Sequence, residues 1–429
     1  MPRATFAFLA VTLLVASDGR RARARADLPK ESPRVVHYTI RAELLPEQRS
    51  VRARMDVVWR NATVAPVHHL YFHLYLNAFR DKESTFLRES GGEGRGERRW
   101  DEKFPGRIDV QSMKTADGQE VWKGAFEAPD DGNEDDATLA RVALPSPVAP
   151  GETVALDVSF ETVLPRLFRR SGFSGDPANP RDLFFMVAQW FPKVAALRQP
   201  PGGQPFWNRH QYHANTEFFA DYGVYQVELT VPGTYVVGAT GRRLNELDAG
   251  EGRVTYLHKA EDVHDFAWCA FPGFLEELYD WEFDRFCAEA RPPAIGANLR
   301  ALLARTAEHR GVPEEAVKPA GSVRIRFLYP NDHAHLRDRF KWSVGAALAC
   351  YGIWYGPYPY DVLTVVDPPD GGRAAGGMEY PTLITAGTRY LAPAWRHEPE
   401  SVTVHEFGHQ YWYGLVASNE FEEAWLDEG

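Results

Sequence analysis

Two histidines four residues apart enclose a glutamate in the run His405-Glu406-Phe407-Gly408-His409, and this spacing constrains the local fold more than any other feature of the sequence. It gains chemical meaning on a helix, where positions i and i+4 share one face, a turn apart. Two imidazoles so placed can take two corners of a tetrahedral zinc site. Glu406, one residue beyond the first histidine, then stands beside the metal, where its carboxylate can take a proton from water. Pro399 and Glu400 are expected just before this helix, and Gly414 can end it. Zinc also needs a third protein ligand and an open position for water. Glu420, Glu422, Glu423, Asp427 and Glu428 all follow closely, so the residues alone leave that ligand open.

The rest of the chain divides by pattern. A length of 429 residues exceeds what one hydrophobic core usually serves and predicts two domains, 27–273 and 274–429. From about Val35 to Phe271 the sequence is strand-rich. Val36-Tyr38-Ile40 and Val51-Ala53-Met55-Val57 alternate with polar residues, as half-buried strands do. Further strands are expected at Thr153–Phe160, Val224–Val231, Tyr235–Ala239 and Val254–Leu257, which together predict a β-sandwich or saddle. In the alternating run 69–75, His69 and His73 share a face, and they read as exposed or hydrogen-bonded histidines rather than metal ligands. Glu89–Lys103 and Pro129–Asp136 are rich in glycine and charge and read as solvated loops. Asn61-Ala62-Thr63 matches a glycosylation sequon. After about Gly273 helical and strand patterns mix. Helices are expected over Asn298–His309 and from His333 to Tyr355, the latter capped by Asp332, and strands over Val323–Leu328 and Val362–Val366. This second region is a separate α+β domain.

The formal net charge of −11 and sequence pI of about 5.7 argue against a nucleic-acid partner, which would want a basic face. Residues 1–26 read as an export signal: Arg3, then the apolar run Ala4 to Ala16, then Ala24-Arg25-Ala26 as a small-x-small cleavage site. The apolar run is too short to span a bilayer. The mature chain is therefore expected to be exported, periplasmic or extracellular, without stable membrane insertion. Cys269, Cys287 and Cys350 are an odd set, and buried free thiols are expected.

The HExxH run, eighteen intervening residues and then Glu428 resemble the gluzincin zinc aminopeptidases of the aminopeptidase N and leukotriene-hydrolase type. Gly376-Gly377-Met378-Glu379-Tyr380 resembles that family's exopeptidase signature GxMEN and sits upstream of HExxH, as it does there. The resemblance implies one zinc ion on His405, His409 and Glu428, with Glu406 as general base. It implies that Glu379 binds the free α-amino group of a peptide substrate, and that Gly376, Gly377 and Met378 shape the backbone beside it. It further implies a β-rich, saddle-like N-terminal domain and part of an α+β, thermolysin-like catalytic domain. In the family a glutamine of the N-terminal domain also meets the substrate amine; Gln189 is a candidate counterpart, and an ordinary strand glutamine is the competing reading. Tyr380 departs from the motif's usual Asn, which puts the shape of the first pocket in doubt. The family's catalytic domain continues beyond the third ligand, so this sequence is expected to be a fragment. The activity expected of the intact enzyme is removal of N-terminal residues. An inactive peptide-binding fragment and a zinc endopeptidase are the alternatives.

Overall fold

A computed structural model describes residues 32–94, 98–387 and 393–429. The expected export signal lies outside these residues. Among them, no helix is long and apolar enough to cross a membrane.

The alternating runs pair into a seven-stranded sheet. Its strands are β1 (Val36–Leu45), β2 (Ser50–Arg60), β3 (Arg107–Thr115), β4 (Thr153–Val163), β5 (Gly223–Pro232), β6 (Arg242–Gly250) and β7 (Arg253–Val263), in the order β6-β7-β5-β1-β2-β4-β3. All neighbours are antiparallel except β1 and β5, which run parallel. One face of this sheet is buried. Val36, Tyr38, Ile40, Ala42 and Leu44 point inward from β1, and Val51, Ala53, Met55, Val57 and Trp59 from β2. Each of the larger side chains contributes roughly 1.5–3 kcal/mol by leaving water. Smaller sheets cover that face. One contains Val67–His73, Leu139–Val148 and Lys193–Val194; the other contains Gly172–Ser174, Phe184–Val187, Val236–Ala239 and Trp268–Phe271.

The second region is built on a four-stranded sheet of β8 (Phe274–Trp281), β9 (Val323–Pro330), β10 (Val362–Val366) and β11 (Leu383–Thr385), in that order. β8 is antiparallel to β9, and the other pairs are parallel. Helices α1 (Ala294–Arg310), α2 (Arg337–Tyr355) and α3 (Glu398–Trp412) supply its apolar cover, and two short turns of helix, α4 (Glu420–Glu423) and α5 (Trp425–Glu428), follow. A separate apolar cluster, including Leu167, Met186, Cys269, Leu328, Met378 and Tyr380, joins the two regions.

Several sequence expectations are corrected. Asp332 does not cap the long helix: Asn331–Leu336 is a 3-10 turn, and α2 begins at Arg337. Pro399 and Glu400 lie inside the first turn of α3, not before it. His73 is 2% exposed with neither ring nitrogen hydrogen-bonded, because both faces of its strand are covered from Leu70 onward. Residues 129–136 are a turn-rich and mostly exposed loop, as expected, but one whose acidic side chains are tied down. The Asp130 carboxylate accepts from the Gln211 amide, Asp131 from Thr85 and Gln211 side chains, and Asp136 from the Thr138 amide. Asn61 is fully buried, its amide donating to the Ala65 and Val148 carbonyls, so the folded protein leaves no room for a glycan there. The three cysteines are free thiols, as expected; Cys269 and Cys287 are buried and Cys350 is partly so.

Candidate metal centre

Helix α3 presents three faces, and each meets a different demand. The Phe407 and Tyr411 face packs into the core against Tyr351 of α2, at ring distances of 5.8 and 5.3 Å. Gly408 permits that approach: a Cβ at this position would sit 2.6 Å from the Tyr351 hydroxyl. Arg339 of α2 grips Glu400 in the first turn through two bonds of 2.6 and 2.7 Å, which fixes where the helix starts.

The second face carries His405 and His409. Their Nε2 atoms lie 3.2 Å apart. Oε2 of Glu428, on α5, lies 3.3 Å from Nε2 of His405 and 3.9 Å from that of His409. Tetrahedral zinc with bonds near 2.05 Å sets its ligand atoms about 3.3 Å apart, so the three converging donors have the type and spacing that fit this ion. His409 is buried, whereas His405 and Glu428 are half exposed, at 51% and 48%. The centre therefore opens to solvent on one side. Nδ1 of His409 lies 3.2 Å from Oδ2 of Asp427, the carboxylate arrangement that orients a metal-binding imidazole. Burial works against a charge on His409, but Asp427, Glu379, Glu406 and Glu428 outweigh it and push its pKa up to about 9 in the metal-free chain. Zinc at this point would displace that proton.

The third face carries Glu406 and Gln410, both buried. Glu406, Glu379 and His409 bring ligand-type atoms within 4.8 Å of one another. Gln410 holds the partner segment in place. Its Nε2 donates to the carbonyls of Glu379 and Tyr380 at 3.1 Å each, and its Oε1 accepts from the Thr382 amide at 2.9 Å. One side chain thus fixes the backbone that presents Glu379. Of the residues assigned to substrate, Glu379 and Met378 line a small cavity beside the centre, together with Gln189 and Tyr380. Gly376 and Gly377 are not on its wall. Gly376 packs against Gly387, and Gly377 turns the chain at φ +67°.

The rival third ligands separate in space. Glu422 points away and accepts from His210 and Asn208, at 3.0 and 3.2 Å. That contact and the stacking of Phe421 on His210 at 4.3 Å tie α4 to the β-rich region. Asp427 and Glu420 stay near His409, within 4.8 Å, but on its far nitrogen's side in the case of Asp427. Glu423 takes part in α4 without a contact at the centre.

Gln189 is no ordinary strand glutamine. It adopts φ +54° and is bound on both ends of its amide, donating to Asp265 at 2.6 Å and accepting from Lys193 at 2.7 Å. Lys193 also pairs with Asp265 at 2.7 Å, both fully buried. Neither Lys193 nor Gln410 was identified from sequence. Gln410 directly follows the second histidine, and its position one step around the helix from the ligands is the signal that could have found it.

No protein-family model and no curated protein matches the chain. Solved structures do. An M1 zinc metallopeptidase from Deinococcus radiodurans is similar at 17% identity and TM-score 0.50, over 94% of this chain and 70% of that one. A glutamate-to-alanine mutant of the Deinococcus enzyme is similar over the same shares, at 16% identity and TM-score 0.50. The chain has the M1 metallopeptidase fold. At this identity the likeness concerns architecture, and within the M1 fold the chemistry must be argued from the side chains above.

Proposed function

We propose that this chain is a zinc-dependent aminopeptidase, one that releases the first residue of a peptide by attack of water on its carbonyl. The observation that carries the reading is the convergence of His405, His409 and Glu428 on one point, with the buried carboxylates of Glu406 and Glu379 beside it. The similar structures are themselves zinc metallopeptidases by name, which agrees with it.

In this reading His405, His409 and Glu428 hold one zinc ion per chain, and Asp427 orients His409. Bound zinc supplies Lewis acidity, polarising oxygen and making water acidic near neutral pH. Glu406 takes the proton of the attacking water and returns it to the departing amine, the two halves of general base and acid catalysis. Glu379 anchors the α-ammonium of the substrate, because a cation entering a buried site needs a fixed opposite charge. Gln410 sets where that anchor stands, and so which bond reaches Glu406. The apolar run at 4–16 extends the proposal to an enzyme acting outside the cytoplasm; N-terminal sequencing of the protein from cell fractions tests that part, and an intact N-terminus in the cytoplasm would refute it.

Hydrolysis of aminoacyl anilides tests the chemistry. Glu406→Gln is expected to keep zinc and lose about 10²–10⁴-fold in turnover. Glu379→Ala is expected to lose the preference for free N-termini. Equal cleavage of N-acetylated peptides by the unmodified protein would instead mark an endopeptidase.

A further inference from the structure

The chemistry above leaves one buried carboxylate beside the centre without a role. Glu420 begins α4, which Asn419 caps, and its side chain is only 2% exposed. Its Oε1 is sealed from solvent and accepts no hydrogen bond. The side chain meets the Asp427 carboxyl, which leaves Oε1 as the unpaired atom; burying a carboxyl oxygen without a partner is costly, and a donor entering the cavity would relieve it.

The surroundings specify that donor. Glu420 lines the same cavity as Glu379 and Gln189. This cavity has room for about one small group, at about 20 Å³. Among the described residues no cation pairs with Glu420. Arg170 is paired with Glu217, and Lys193 with Asp265. The remaining wall is largely aromatic, from Phe218, Phe219, Tyr380 and Tyr413, surfaces that favour a cation further. An ammonium carries three N–H donors, more than the carboxylate of Glu379 alone can satisfy in a dry site. We infer that Glu420 is a second amine-binding carboxylate, which shares the substrate α-ammonium with Glu379. The inference rests on the aminopeptidase reading and goes beyond it by naming a residue that helps select a free N-terminus. Glu420 thereby acts on binding, where a residue that merely supported Asp427 would act on the metal.

The test is calorimetric binding of leucinamide to the zinc-loaded full chain carrying Glu406→Gln, so that turnover plays no part. Adding Glu420→Gln is expected to weaken binding at least tenfold while zinc stays at one per chain. N-acetyl-leucinamide should bind equally weakly with and without the change. In the active protein, Glu420→Gln should raise KM with kcat changed less than threefold. Glu379→Gln is the control. If it weakens leucinamide binding and Glu420→Gln does not, the second carboxylate is refuted and the aminopeptidase reading stands. If neither change matters, both fall. Loss of zinc in Glu420→Gln, with kcat falling and KM unchanged, would make Glu420 a metal-positioning residue and overturn the inference. Should Glu420→Gln fold poorly, Glu420→Asp keeps the charge on a shorter arm and is expected to weaken binding less than tenfold; unaltered binding there, with Glu420→Ala also unaltered, refutes it equally.

Discussion

Replacing Gln410 with leucine keeps its size and removes three buried hydrogen bonds at once. The Glu379 and Tyr380 carbonyls each lose the Gln410 donor, Tyr380 keeping the Leu383 amide, and the Thr382 amide loses its acceptor. Each bond contributes about 1 kcal/mol net, which gives a local loss of about 3 kcal/mol. The loss falls on a strained segment. Thr382 is β-branched, yet it sits at φ +57°, a conformation that persists only where surrounding contacts enforce it. Its other restraints are the Thr364 amide on its carbonyl and the Gly241 amide on its hydroxyl, at 2.8 and 2.7 Å. The measurement is amide hydrogen exchange at Thr382, whose N–H is the one Gln410 holds. A loss of about 3 kcal/mol corresponds to roughly 150-fold less protection there. Exchange within α2, which does not depend on Gln410, should change far less. Glu379 should then anchor the substrate amine less well, raising KM for aminoacyl anilides while zinc is retained. Less than a tenfold change in Thr382 protection would refute the claim that Gln410 holds this backbone in place.

Three further expectations follow from the same packing. Burial, with Lys193 nearby, drives the pKa of His73 down to about 3, so its folded form is neutral and the stability it contributes is full above about 6.5, the unfolded value, and lost as pH falls. His73→Phe, which can keep the stacking on Tyr75, should therefore gain about 1.4 kcal/mol relative to the parent at pH 5.5 and almost nothing at pH 7.5, read by urea denaturation at both; an equal change at the two pH values would refute it. Lys193→Met leaves Asp265 charged and buried, and should cost about 3–5 kcal/mol, whereas adding Asp265→Leu should restore much of the loss in a thermal melt; a double variant no better than the single one contradicts this. Zinc at a hundredfold excess over its dissociation constant should stabilise the chain by about 2.7 kcal/mol, and Glu428→Gln should remove most of that gain in calorimetry; an unchanged zinc response would exclude Glu428 as a ligand.

What the sequence made legible, and what it hid, follows the range of the forces involved. β1 and β2 were readable because one face of each meets solvent, so burial alternates residue by residue. His73 was not, because what surrounds its ring, besides the stacked Tyr75, is Lys193 and Asn208 from far along the chain. Residues 129–136 were readable as a solvated loop, but the anchors of Asp130, which are His210, Gln211 and His213, lie about 80 residues on and left no local sign. The centre divides in the same way. The pairing of His405 with His409 is dictated by the pitch of one helix and needs no tertiary knowledge. Glu428 became a candidate through a spacing, but its approach to the pair depends on α4 being held by His210 and Asn208.

Glu420 has no local signature and Gln410 only its place beside the second histidine, since their meaning lies in segments 28–31 residues away for Gln410 and in a cavity wall drawn from both regions for Glu420. This places the burden of specificity outside the motif. A helix with HExxH supplies two of the three proposed ligands by its own pitch, whereas the proposed choice of a free N-terminus rests on the 376–382 segment, α4 and the Gln189 turn meeting around one small cavity. Substitutions that loosen those junctions should therefore erode substrate choice before they erode metal binding. A variant such as Gln410→Leu that lost zinc first, with its discrimination between free and acetylated substrates intact, would invert that order and argue that the cavity serves the metal alone.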